Sequence, residues 1–185
     1  MKKILLFTIL GLVAVVLALP LFQTSLQSRF DEPIETRSTV LEGAAERLAQ
    51  ALTYKTISQD PRMVDSAAFE GLFLHLKSSF PNLWSTLDKD TLGSYTLFMS
   101  LPGTSPQATN QLFISLLDVV PVDQKSISSW DHPPFSGTIA NGQIYGRGAL
   151  DDKSSALGTL EALESLLTSG WRPSNNLYFC MGSDE

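Results

Sequence analysis

The sequence has little cysteine and little histidine: among 185 residues there is one of the first, Cys180, and two of the second, His75 and His132. A single cysteine cannot close an internal disulfide, so no covalent staple is available to the fold. Cys180 stands in the apolar run Leu177-Tyr-Phe-Cys-Met181 with no histidine close in sequence. That context argues for a small buried strand residue rather than a nucleophile. Basic clusters are also missing beyond Lys2-Lys3. With a formal net charge of −6 and a pI near 4.9, the chain has no electrostatic footprint for nucleic acid. Neither internal repeats nor low-complexity tracts occur. Hydrophobic residues make up 43% and charged residues 17%, a foldable composition of about one domain rather than a disordered one.

What is present begins with an address. Lys2-Lys3 precede Ile4 to Phe22, a run without charge. Roughly 19 residues of helix span about 28 Å, close to the hydrocarbon core of a bilayer. No clean Ala-x-Ala cleavage site surrounds Ala18-Leu-Pro20. The reading is therefore a hydrophobic helix over residues 1–22 acting as an uncleaved signal anchor, with a cleaved signal and a secreted product as the alternative. The lysines belong on the cytoplasmic side, which makes the remainder a membrane-anchored extracytoplasmic domain. Residues 23–35 read as a polar tether, and residues 36–185 as the domain.

Within that domain, Leu41, Ala44, Ala45, Leu48 and Leu52 recur at helical spacing from about Ser38. Asp65 and Ser66 can cap a second helix carrying Phe69, Leu72, Phe73 and Leu76, which Pro81 should end. Strand-like segments follow at Ser94–Leu101, closed by Pro102-Gly103, and at Gln111–Leu117. The second is so continuously apolar that it predicts a strand covered on both faces. A long loop, Asp118 to Ile139, leads to Ile144-Tyr145 and then Gly146-Arg-Gly148. A helix with a leucine stripe runs from about Asp152 to Ser169, stopped by Gly170 and Pro173. Asn176–Met181 is a last buried strand. Helices mixed with strands in this order predict an α/β fold, a three-layer sandwich with a mixed sheet flanked by helices.

Acidic residues stand where strands end and a helix begins. Asp118 follows one strand; Asp151 and Asp152 follow the Gly-Arg-Gly turn; Asp184 and Glu185 follow the last strand. Acids so placed can build a site for borderline cations. Helix-opening carboxylates are also favoured by the macrodipole, worth about 0.3–1 kcal/mol, so Asp151-Asp152 alone is equally a helix start. The glycines on either side of Arg147 favour the site, because they let the backbone pass close to another element. Period-two spacing puts residues 116 and 118 on one side of a strand end. Such a pair in metal sites is often His-x-Asp, but residue 116 is leucine, which has no lone pair.

Taken jointly, Asp118, Trp130, Pro133-Pro-Phe-Ser-Gly137, Ile144-Tyr-Gly-Arg-Gly148, Asp151-Asp152-Lys153, Leu160-Glu-Ala162, Gly170 and Asp184-Glu185 resemble one family. It is the co-catalytic zinc peptidase family of aminoacylase, carboxypeptidase G, carboxypeptidase S and the carnosine dipeptidases. The likeness is specific from about Leu112 to Glu185 and looser from Glu35 to Leu101. Asp-Val-Val-Pro-Val and Pro-Pro-Phe-Ser-Gly resemble most the carboxypeptidase S and fatty-acyl amino acid hydrolase branch. The resemblance implies hydrolysis of amide bonds in peptides or N-acyl amino acids at a two-zinc site. It implies Asp151 as the bridging metal ligand, Asp118 behind a metal-binding histidine, and Glu185 as the general base on a metal-activated water. It also implies a cis peptide joining Asp151 to Asp152, which shapes the site.

Two departures follow from the same comparison. Leu116 stands where the first metal-binding histidine belongs, and the later ligands and the lid or dimerisation domain would lie after Glu185. The expectation is an N-terminal portion of a catalytic domain that does not retain zinc and is inactive as a 185-residue chain, with a homodimer only where a lid domain is present. The alternative is a membrane-tethered pseudo-enzyme that acts as a binding or interaction module. His132, His75, Trp130, Phe135 and Tyr145 are read as structural or packing residues.

Overall fold

The first helix forms where alanine and leucine recur every three to four residues, and the second where an aspartate caps the chain. In the computed structural model, which describes residues 41–60 and 64–183, these are α1 (Ala44–Leu52) and α2 (Ser66–Ser79). The Asp65 carboxylate accepts from the N–H groups of Ala67 and Ala68, satisfying donors that the first helical turn leaves open. Buried Phe69, Leu72 and Leu76 form the inner face of α2. α2 ends directly ahead of Pro81, as expected, with Phe80 as its C-cap. Pro81 also opens a further helix, α3 (Pro81–Thr86). Proline suits the first helical position, where its missing N–H has no intrahelical partner to lose.

The remaining elements are β1 (Asp88–Leu92), β2 (Thr96–Leu101), β3 (Asn110–Leu116), a 3₁₀ turn (Gln124–Ser129), β4 (Thr138–Ala140), β5 (Gln143–Tyr145), α4 (Ser154–Thr168) and β6 (Asn176–Gly182). Four strands make one mixed sheet in the order β1-β2-β6-β3. β1 and β6 run antiparallel to β2, whereas β3 runs parallel to β6. One face of the sheet presents Leu97, Met99, Leu101, Leu177, Phe179 and Met181 to Leu72 and Leu76 of α2 and to Leu157, Leu160 and Leu163 of α4. These residues form a single buried core. The fold is thus mixed α/β, with a mixed sheet and helices packed on it.

Two expectations about burial are corrected. β3 is not covered on both faces. It is the sheet edge, its one described strand partner is β6, and Leu112, Phe113 and Ile114 remain 57%, 45% and 72% exposed. Leu112 and Ile114 are more than half exposed among the described residues, so the apolar run lacks full cover. β6 likewise buries only alternate residues, and Cys180 falls on its half-buried face rather than in the core.

The long loop contains the 3₁₀ turn, started by the Asp123 carboxylate accepting from the Lys125 N–H. It ends in the β4–β5 hairpin, turned by Asn141 and Gly142 at φ 52° and 73°, the positive angles that a two-residue primed turn requires. Regular helix starts at Ser154 rather than at Asp152. Residues 149–153 form a wider turn in which Asp151 and Asp152 leave helical angles. At the other end, Gly170 adopts φ 81° and the N–H groups of Gly170 and Trp171 bond back to Leu167 and Leu166, a glycine stop of the expected kind. The expected hydrophobic helix of residues 1–22, the tether of residues 23–35, and Asp184 and Glu185 lie outside the described residues. Among the described residues no helix is long and apolar enough to cross a membrane.

Candidate functional site

The site is built where β3 ends. Leu116, the last residue of that strand, pairs with Gly182 at the end of β6. The Leu117 N–H donates to the Gly182 carbonyl at 2.9 Å, and the Leu117 carbonyl accepts from Thr56 Oγ1 at 2.7 Å. Val119 N–H then donates to the Thr56 carbonyl at 2.9 Å, and Ile57 bridges Val119 in parallel. The segment is clamped on both sides, and Asp118 sits within it at 0% exposure. Its carboxylate accepts a hydrogen bond from the Ser58 hydroxyl, a partner that a buried carboxylate needs.

The glycine turn passes against this strand end. A Cβ on Gly148, whose φ is 83°, would lie 2.5 Å from Val119 Cγ1, and one on Gly146 would lie 2.9 Å from Leu52 Cδ1. The close passage read from the two glycines is therefore real at both. The turn is closed by Ala149 N–H on the Gly146 carbonyl and Lys153 N–H on the Gly148 carbonyl. Beneath it, Lys153 is 0% exposed. Its Nζ donates to the carbonyls of Ala51 and Tyr54 at 3.1 and 3.0 Å, placing a cation at the C-terminal end of α1 where the helix dipole favours it. Burial pushes the Lys153 ammonium down to about 8, and the negative charge of Asp118 pulls it the other way.

This packing delivers the two acids differently. Asp151 is exposed and borders a cavity of about 340 Å³ together with Trp130, Tyr145 and Arg147. Asp152 is half-buried, and its Oδ2 accepts from the Leu116 N–H at 3.3 Å. The peptide between the two aspartates is cis. Leu116 and Asp152 thus meet directly, and Asp118 acts on the lysine that underlies the turn. Glu185 lies outside the described residues.

As a zinc pair site the described residues do not suffice. No three His, Cys, Asp or Glu side chains among them gather where one ion could sit. Asp151 is the exposed carboxylate, Asp118 is buried on Ser58, and Leu116 offers no donor atom. His75 lies elsewhere, its Nε2 2.9 Å from the Arg47 carbonyl. His132 packs edge-on to Tyr145 at 4.5 Å between ring centroids. Trp130 lies under the Arg147 guanidinium at 5.3 Å, and Phe135 under Lys55 at 5.6 Å. Sequence reading missed Thr56 and Ser58, which hold the strand end, and the anchoring role of Lys153. Nothing in Tyr54-Lys-Thr-Ile-Ser58 marks the first two, whereas Lys153 stands inside the recognised motif.

Residues 112–185 match the model of Peptidase family M20/M25/M40. The chain is 38% identical over 144 residues to the probable carboxypeptidase S-like 2 of Dictyostelium discoideum, covering 76% of this chain and 27% of that protein. It is 32% identical over 142 residues to the N-fatty-acyl-amino acid synthase/hydrolase PM20D1 of Bos taurus, covering 76% and 28%. The solved M20 family metallo-carboxypeptidase Sso-CP2 from Sulfolobus solfataricus superposes with a TM-score of 0.61 at 25% identity, over 77% of this chain and 31% of that one. The chain therefore spans little more than a quarter of the curated relatives it matches. Within that span, motif order, sequence likeness and fold agree: residues 112–185 are those of the M20 peptidase family, and carboxypeptidase S-like proteins and N-fatty-acyl-amino acid synthase/hydrolases are among the proteins the chain resembles.

Proposed function

We propose that this chain carries the first part of the catalytic domain of a metal-dependent amide hydrolase, acting on peptides or N-acyl amino acids. The family likeness and the Asp151–Asp152 turn against the end of β3 support that reading. In the complete three-layer domain, helices would cover the sheet face that carries Phe98, Tyr178 and Cys180. Asp151 would be the bridging ligand of a zinc pair, Asp118 its supporting acid and Glu185 the general base. The chain as it stands is inactive. The observation that carries this is Leu116, an aliphatic side chain on the strand end that touches the Asp152 carboxylate through its backbone, where a metal site of this family needs an imidazole. A second reading rests on the same residue: a tethered pseudo-enzyme that keeps the fold and works as a binding module.

The uncharged run after Lys2-Lys3 supports membrane anchoring with the domain outside the cytoplasm, or secretion after cleavage. Zinc content by mass spectrometry, together with hydrolysis of an N-acyl amino acid, tests the proposal. We expect sub-stoichiometric zinc and no turnover by the 185-residue chain. Stoichiometric zinc with turnover would overturn the inactivity. If Leu116→His, followed by the C-terminal sequence of an active relative, also stays without zinc and turnover, the hydrolase reading fails in favour of the pseudo-enzyme.

A further inference from the structure

Among the described residues, no carboxylate forms an ion pair with the cation beside Asp151. Arg147 lies between Gly146 and Gly148, directly before the Asp151–Asp152 turn, and lines the cavity of about 340 Å³ with Trp130, Tyr145, Leu150 and Asp151. Its Nε is closed off from solvent and has no hydrogen-bond partner among the described residues. The ion pair found among them is Arg47–Glu161, so Arg147 takes no described carboxylate. What holds its guanidinium is the face of Trp130, with Cζ 5.3 Å from the ring centroid. Stacking of this kind fixes a planar fork without using up its donors. The backbone is fixed as well, since the Arg147 N–H donates to the buried Pro134 carbonyl at 2.6 Å. A half-buried guanidinium, pre-positioned and without an acid among the described residues, is built to receive one from outside.

We infer that Arg147 and Trp130 form a binding site for the free carboxylate of an amino-acid moiety, which the cavity then holds beside Asp151. This rests on the amide-hydrolase reading for the ligand class. Peptides and N-acyl amino acids end in a planar carboxylate that matches the guanidinium fork in two parallel hydrogen bonds. A second cavity of about 260 Å³ shares Trp130, Tyr145 and Gly146 and adds Asp131 and His132. The two together give room for a small ligand of one amino-acid unit and its acyl group. Arg147 is a positioning residue in this scheme: it sets where the carboxylate lies, and thereby which bond reaches the acids of the turn.

The test is binding without turnover. The 185-residue chain is titrated calorimetrically, in metal-free buffer, with N-acetylphenylalanine and separately with its methyl ester. The acid should bind about tenfold or more tightly than the ester, the difference expected for a charge-assisted bidentate contact. Arg147→Ala should bind acid and ester alike, and Arg147→Lys should fall between, since it keeps the charge and loses the fork. Equal binding of acid and ester by the unaltered chain, binding of neither, or a preference that survives Arg147→Ala would each overturn the inference. Should Arg147→Ala fail to fold, the ligand pair on the unaltered chain and the lysine variant still decide. The outcomes also separate from the hydrolase reading. An acid preference in a chain that never gains turnover, even when extended and supplied with zinc, would sink that reading and leave the carboxylate site standing.

Discussion

The backbone N–H of Leu116 donates to the carboxylate of Asp152 at 3.3 Å, tying the end of β3 to the turn that presents Asp151. The tie belongs to the main chain, so it is independent of the side chain at position 116. The strand end and the turn can therefore keep this tie with any residue there except proline, which has no N–H. This separates the scaffold of the site from its metal-binding capacity.

Leu116→His should accordingly fold. Leu116 is half-buried, with Cδ2 3.1 Å from where a Cβ on Gly182 would sit, so the replacement costs about 1–2 kcal/mol in urea unfolding. In the 185-residue chain it should restore no hydrolysis of N-acyl amino acids, because one imidazole and Asp151 do not make a zinc pair. Turnover by this single variant would show that the described residues suffice after all.

Gly148 and Gly170 allow the cost of a turn to be divided. Both have positive φ, 83° and 81°. At Gly170 a Cβ meets nothing within 4 Å, whereas at Gly148 it meets Val119 Cγ1 at 2.5 Å. Gly170→Ala should lose about 1 kcal/mol from backbone strain alone. Gly148→Ala adds a steric conflict in a packed site and should lose about 3 kcal/mol or more. Thermal melts of the two variants side by side measure the difference. Equal losses would mean that the turn does not press on the strand end as described.

How much of this was legible in sequence depended on whether a signal was local. The Asp65 cap, the leucine stripe of α4 and the glycine stop at Gly170 are set by residues a few positions apart, and they were read correctly. Asn141-Gly142 was a local signal too, and the hairpin it turns was overlooked. β1 was missed for a physical reason: Asp88-Lys-Asp-Thr-Leu92 is exposed throughout and owes its conformation to pairing with β2 rather than to an apolar pattern. The end of α2 before Pro81 was read correctly, but proline both ends and begins helices, and the short α3 that it opens was not foreseen. At the site, the acids stood out through the order of the motifs. Ser58 and Thr56 did not, since their roles arise from a bridge to residues about sixty positions away. The exposure of β3 was equally hidden, because composition records what a strand is suited to and not what covers it.

That exposure has a consequence for the chain in solution. β3 is an edge strand with Leu112, Phe113 and Ile114 open, and an apolar edge with free backbone groups is a template for pairing with another chain. Sedimentation velocity should show concentration-dependent association of the 185-residue chain. Ile114→Lys, at a position that is 72% exposed, should reduce it with a stability change within about 0.5 kcal/mol, as expected of a surface substitution. Association unchanged by the lysine would place the contact elsewhere.

Arg47 and Glu161 offer the sharpest test of how α1 is held on α4. Arg47 Nε and Nη2 donate to the two carboxylate oxygens of Glu161 at 2.5 and 2.6 Å, and this hydrogen-bonded carboxylate holds the Arg47 guanidinium above its ordinary range. Side-chain exposures of 27% and 10% make the pair partly desolvated, so its two halves are not equivalent. Arg47→Ala leaves a buried carboxylate without its cation and should lose about 3 kcal/mol. Glu161→Leu leaves a cation that can turn toward water, and it replaces the acid with an apolar group on a core-facing helix, so its loss should be nearer 1 kcal/mol. The double variant removes both the charge and its partner and should recover at least half of what Arg47→Ala loses, by the logic that a buried pair replaced together costs little. Urea unfolding of the four proteins gives the coupling energy. Additive losses would mean that the bidentate contact contributes nothing beyond packing, and that α1 is held by Leu52 and Ala51 in the core alone.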